Sequence, residues 1–191
     1  LNPFFDQIKE VTNLNHPGIL SPLEIGHSDG NTWIVYPITS DPNLDTLMGE
    51  RKHPFDLAKV LAILDGIATA LDYAHQQGIT HRNLKPNNVF VNESDEVRLS
   101  DFAMPTLADQ APPLVKGALK TPDPNYMAPE QAGDNAVDSA ADIYSFGVIA
   151  FRLLTGQLPF LGTSLVAVAI SRKTSDVPSV HQVNPTLPPG I

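Results

Sequence analysis

The sequence predicts an α+β domain, mainly helical, and three observations lead there. Residues 56–77 and 139–155 carry apolar positions at helical spacing over lengths that suit buried helices. Short β-prone runs come in two pairs, ILSPLEIG with NTWIVYPI and VFV with VRLS, each pair separated by turn residues. The size and composition, 191 residues with 42% hydrophobic and 17% charged, are those of one compact globular domain or most of one.

In chain order, Phe4, Ile8, Val11 and Leu14 mark an amphipathic helix over 4–14, which His16-Pro17-Gly18 ends. A hairpin follows, with strands expected at 20–26 and 32–38 around His27-Ser28-Asp29-Gly30. The helix over 56–77 has Asp56 placed to cap its start and Gly78 to end it. A small hairpin, 89–91 with 97–100, turns at Asn92-Glu93-Ser94-Asp95. Residues 103–125 hold five prolines and no sustained period, so they read as a long loop, and loops of that length in compact domains usually serve function. The helix over 139–155 is apolar nearly all round, through Ile143, Phe146, Val148, Ile149, Phe151, Leu153 and Leu154, which predicts burial at the centre. A shorter helix is expected at 164–172, with its Leu165, Val166, Val168 and Ala169 face packed on the core, and the tail after it shows no stable pattern.

Charge and composition exclude several classes. A net charge of -9 argues against broad binding to nucleic acid or anionic lipid, and nothing reads as a nucleic-acid module. The apolar runs are too short to span a bilayer. No signal peptide is expected, and the absence of cysteine in these residues rules out disulfides and thiolate zinc sites within them, so the expected location is cytoplasmic. The six histidines show no metal-ligand spacing.

Four motifs carry chemistry: HRNLKPNN at 81–88, DFA at 101–103, YMAPEQ at 126–131 and DIYSFG at 142–147. In this order and spacing the chain resembles the eukaryotic-like Ser/Thr protein kinases, especially their bacterial branch, whose signature includes H-R-D-L-x-x-x-N, D-F-G and A-P-E. The resemblance implies a protein-kinase-like α+β fold. Residues 1–40 would form part of the small N-lobe, with its regulatory helix, two strands and hinge. Residues 41–191 would form the helical C-lobe without its final helices.

The resemblance also implies roles. Phosphoryl transfer needs positioned magnesium, a held triphosphate and an oriented hydroxyl more than covalent help. Asn88 and Asp101 match the two magnesium-binding positions, and Lys85 matches the lysine that steadies the transferred phosphate. Tyr36-Pro37-Ile38-Thr39 aligns with the hinge, where the Pro37 carbonyl and Thr39 amide would meet adenine. ATP, magnesium and a protein substrate or partner are therefore expected. Asp142 matches the residue that ties the catalytic loop to the large-lobe core, and His81 is expected to anchor that loop. Arg82 matches an arginine that clamps a phosphate on the activation segment, where Thr106, Thr121 and Tyr126 are the hydroxyls. Here Asp109 or Asp123 is expected to face Arg82 instead.

The departures bear on activity. Asn83 stands where the family has its catalytic aspartate. Gln7 stands where the regulatory helix offers a glutamate, and Ala103 takes the glycine of D-F-G. No G-x-G-x-x-G occurs in the chain; the resemblance places that loop and the V-A-I-K strand before residue 1. The arginine that usually pairs with Glu130 would fall beyond Ile191, and both ends of the chain look cut. These features favour a catalytically impaired, pseudokinase-like protein that acts by binding or scaffolding. The alternative is a fragment of an active or weakly active ATP-dependent Ser/Thr kinase.

Overall fold

The computed structural model describes residues 9–28, 31–49, 55–103, 123–132, 137–162 and 164–191. Of the opening helix, residues 9–11 are helical, and Val11 and Leu14 are buried in the core. Phe4, Gln7 and Ile8 lie outside the described residues, as do Thr106, Asp109 and Thr121 of the long loop.

The first hairpin is β1 (Glu24–Ser28) against β2 (Asn31–Val35), antiparallel with Glu24 opposite Val35. Its strands are shorter than the sequence pattern predicts. Leu20 does not join β1, because its N–H donates to Leu99 at 2.8 Å, while Pro22 has no N–H to give a ladder. At the other end Pro37 follows β2 closely and removes the next donor.

Helix α1 (Leu44–Gly49) has no counterpart in the sequence reading. Asn43 caps it, its Oδ1 accepting the Thr46 N–H at 2.9 Å, and Leu44 is fully buried. Helix α2 (Leu57–Gln76) forms where predicted: the Asp56 carboxylate accepts the Lys59 N–H at 2.9 Å, and Gly78 turns the chain with φ 75°. It buries Val60, Ile63, Ile67, Ala70, Leu71 and Ala74. A Cβ at Gly66 would stand 2.9 Å from the Val97 Cβ, so the close approach of α2 to the second hairpin requires glycine there.

That hairpin pairs β3 (Val89–Val91) with β4 (Val97–Leu99), antiparallel. Its turn is closed by the Asn92 Oδ1, which accepts the N–H groups of Ser94 and Glu96, both at 2.9 Å.

Helix α3 (Ser139–Thr155) is capped by Asp138 and stopped by Gly156 at φ 76°. It buries Val148, Ile149, Phe151 and Leu153 but leaves Ile143 56% exposed, so it packs at the centre on one side and meets solvent on another. Helix α4 (Leu165–Thr174) follows. Val168 is fully buried while Val166 is 67% exposed, so only part of its apolar face reaches the core. A one-turn helix, α5 (Val180–Val183), occurs in the tail read as patternless, with the Gln182 Oε1 accepting the Ser179 N–H at 3.3 Å. The core is one cluster from Val11 to Leu153, in which α2, α3, β3 and β4 meet.

Candidate functional site

The 81–88 loop leaves α2, turns at Gly78 and is held from below by one carboxylate. Asp142, early on α3 and 1% exposed, accepts the N–H groups of His81 and Arg82, each at 2.8 Å. His75, at the end of α2, places its Nε2 2.7 Å from the same carboxylate. Arg82 can hold a left-handed φ of 64° because Asp142 and Gln131 fix its two peptide groups; the Gln131 Nε2 donates to the Arg82 carbonyl at 2.6 Å. The tie expected of Asp142 is therefore present, with His75 as a third partner that the sequence reading missed.

His81 is fully buried and stacks on Phe102 with ring centroids 4.2 Å apart. Its Nδ1 accepts the Asn83 N–H at 3.4 Å, and burial pushes its pKa down, so the ring is a neutral anchor of the loop. Asn83 itself is bound through its backbone on both sides: its carbonyl accepts the Asn88 Nδ2 at 2.9 Å. A short 3-10 turn, Pro86–Asn88, then runs into β3, and the Asn88 N–H donates to the Lys85 carbonyl at 2.9 Å. Lys85 is 4% exposed and lines a small cavity with Arg82, Asn83, Asp123, Tyr126 and Gln131. Arg82 and Asp123 thus share one cavity, whereas Asp109 lies outside the described residues.

Asn88 and Asp101 are brought together by the sheet. The Ser100 N–H donates to the Asn88 carbonyl at 3.0 Å, and Asp101 follows with a left-handed φ of 61°. Asn88 is fully buried; its Nδ2 is used by Asn83, and its Oδ1 has no hydrogen-bond partner among the described residues. An orphaned amide oxygen, on a residue whose backbone is bonded to the residue before Asp101, is the hard donor chemistry that fits magnesium. No group of three His, Asp or Glu side chains among the described residues could hold a metal alone, so a magnesium ion here would complete its shell with water or phosphate oxygens. Ala103 takes φ 55°, the left-handed conformation that glycine adopts without strain, at a cost of about 1–2 kcal/mol.

The hinge stretch passes this pair. The Tyr36 hydroxyl faces the carboxylate and backbone N–H of Asp101; burial and the Asp101 charge both push its pKa up. Ile38 is fully exposed, while the Thr39 Oγ1 accepts from the Asp41 N–H at 3.1 Å and from Arg98 at 3.3 Å. Arg98, on β4, also pairs with Asp41 and so fastens the hinge to the second hairpin. Pro37 precedes this anchored stretch and is half-buried.

Tyr126, which directly follows the long loop, is 3% exposed and bonded to Arg152, which also reaches Asp45 at 3.3 Å. Its hydroxyl is a structural group inside the lobe. No local pattern marks Arg98, Arg152 or His75, because each meets its partner more than 20 residues away in the chain.

The fold is the α+β protein-kinase-like one, with a helical C-lobe and part of the N-lobe sheet. A crystal structure of a mutant of the Mycobacterium tuberculosis PknI kinase domain matches it with a TM-score of 0.71 at 28% identity, over 95% of this chain and 63% of that one. The family described as "Protein kinase domain" matches residues 3–187. The chain is 32% identical to the probable serine/threonine-protein kinase PknB of Lactococcus lactis, over 95% of this chain and 28% of that protein. It is 34% identical to the serine/threonine-protein kinase pkn3 of Myxococcus xanthus, over 92% of this chain and 33% of that protein. The chain belongs to the protein kinase domain family, within its bacterial Ser/Thr branch, and spans about a third or less of these relatives' length. Among the described residues no helix is long and apolar enough to cross a membrane.

Proposed function

We propose that this domain acts by binding, as a pseudokinase-like module that engages a protein partner, and that phosphoryl transfer from ATP is impaired. The observation that carries the reading is Asn83. Its backbone is held in the loop by His81 and Asn88, yet its side chain is an amide at the position where the family has a carboxylate. An amide has no carboxylate to attract or take up the proton of an attacking hydroxyl. Losing general-base help of roughly 10²- to 10⁴-fold raises the barrier by about 3 to 5 kcal/mol.

The remaining parts of the site favour holding a nucleotide. Asn88 and Asp101 offer the oxygen ligands for magnesium, Lys85 is the candidate for the transferred phosphate, and the Pro37 carbonyl and Thr39 amide are the candidates for adenine. Asn88 and Asp101 would hold the magnesium, which would supply charge neutralisation to the phosphates. The orphaned Asn88 Oδ1 supports a second reading, an active or weakly active Ser/Thr kinase.

Incubating the chain with magnesium, labelled ATP and a basic acceptor protein is expected to leave the acceptor no more labelled than with the Asp101→Ala variant. Acceptor labelling that Asp101→Ala abolishes would overturn the proposal and favour the second reading.

A further inference from the structure

Arg172, on α4, belongs to none of the motifs that mark the family, yet it donates to two backbone carbonyls of the turn that enters YMAPEQ. In that turn the Asp123 carbonyl accepts the N–H groups of Tyr126 and Met127 at 3.0 and 3.2 Å, and the Tyr126 carbonyl accepts the Ser145 hydroxyl at 2.8 Å. The two carbonyls between them, of Pro124 and Asn125, accept from one Arg172 nitrogen at 3.0 and 3.3 Å. The guanidinium also lies 4.9 Å from the centroid of the Tyr144 ring on α3. A single side chain thus joins α4, α3 and the turn.

Burial opposes the Arg172 charge and pushes its pKa down, against the support of Tyr144 first and of Glu130 at longer range. Burial likewise lifts the Tyr144 pKa, against the pull of Arg172 and with the support of Glu130.

We infer that Arg172 is a positioning residue that fixes the 123–127 turn, and with it the partner-receiving surface next to Asn83 and Lys85. The inference rests on the binding reading for the word "partner" and on the geometry alone for the fixing of the turn. Lysine cannot replace arginine here, because an ammonium has no planar fork to lie over Tyr144 while reaching two carbonyls.

The test is amide hydrogen exchange on the whole chain, comparing the parent with Arg172→Ala and Arg172→Lys. Exchange at Tyr126 and Met127 is expected to accelerate roughly tenfold or more in both variants, while Ile63 and Ile67 of α2 keep the parent rates. Methylguanidinium at low millimolar concentration should slow the turn again in Arg172→Ala and leave the parent unchanged. Parent-like exchange at Tyr126 and Met127, equal acceleration throughout the core, or full recovery with lysine would each overturn the assignment. Exchange does not depend on ATP or acceptor, so a loosened turn with active phosphoryl transfer would sink the binding reading and leave Arg172 in place.

Discussion

Replacing Asp142 by alanine removes the support beneath the 81–88 loop, and the structure gives the size of the loss. The carboxylate is 1% exposed and accepts two backbone N–H groups at 2.8 Å, besides facing His75 at 2.7 Å. In Asp142→Ala the N–H groups of His81 and Arg82 lose their partner, and an unsatisfied buried donor costs about 1–3 kcal/mol. Gln131 still holds the Arg82 carbonyl, and the left-handed φ of 64° is carried by parent and variant alike, so it adds nothing to the difference. For the two donors together the loss is about 2 to 6 kcal/mol, a large share of the roughly 5–15 kcal/mol typical of a folded domain. Asp142→Asn keeps one acceptor oxygen and should fall between the parent and the alanine variant, with a loss of about 2 kcal/mol. Urea unfolding followed by circular dichroism measures both, with the midpoint and slope separating stability from compactness. An alanine variant within about 1 kcal/mol of the parent would refute the reasoning.

Two further outcomes follow from single side chains. Burial, against the opposing effect of Arg152, pushes the Tyr126 pKa up to about 12. The folded hydroxyl therefore binds its proton more tightly than the unfolded one, whose pKa is about 10. Its contribution is complete below pH of about 10 and is lost as the pH rises towards about 12, by roughly 2–3 kcal/mol. Tyr126→Phe should lack this alkaline loss when stability is measured against pH. At the second hairpin, Asn92→Ala should cost about 1–2 kcal/mol in the same urea titration, because two turn N–H groups lose their acceptor; Asn92→Asp keeps that acceptor but gives up the donation to Glu96 at 2.7 Å and sets two carboxylates together, so it should recover only part of the loss.

How far the sequence reached depends on the range of each interaction. Helices α2 and α3 were legible because their apolar stripes lie within the element, and α2 also carries its Asp56 cap and Gly78 stop at its ends. Helix α1 was missed although Asn43 caps it, since six residues give too little periodicity to read. The first hairpin was drawn too long, because the sequence pattern does not show that Leu20 is claimed by Leu99, 79 residues on. At the site, Asn83, Lys85, Asn88, Asp101 and Asp142 stood out because they sit in fixed motifs. Arg172, Arg98 and His75 did not, since their partners are brought to them only by the fold.

The most direct measurement is phosphoryl transfer to an acceptor protein by the chain and its Asn83→Asp variant side by side, with Asp101→Ala as the blank. The account predicts that the chain with Asn83 stays at the blank and that any transfer above it belongs to Asn83→Asp, larger by roughly 10²- to 10⁴-fold. Equal transfer by both, abolished by Asp101→Ala, would contradict it.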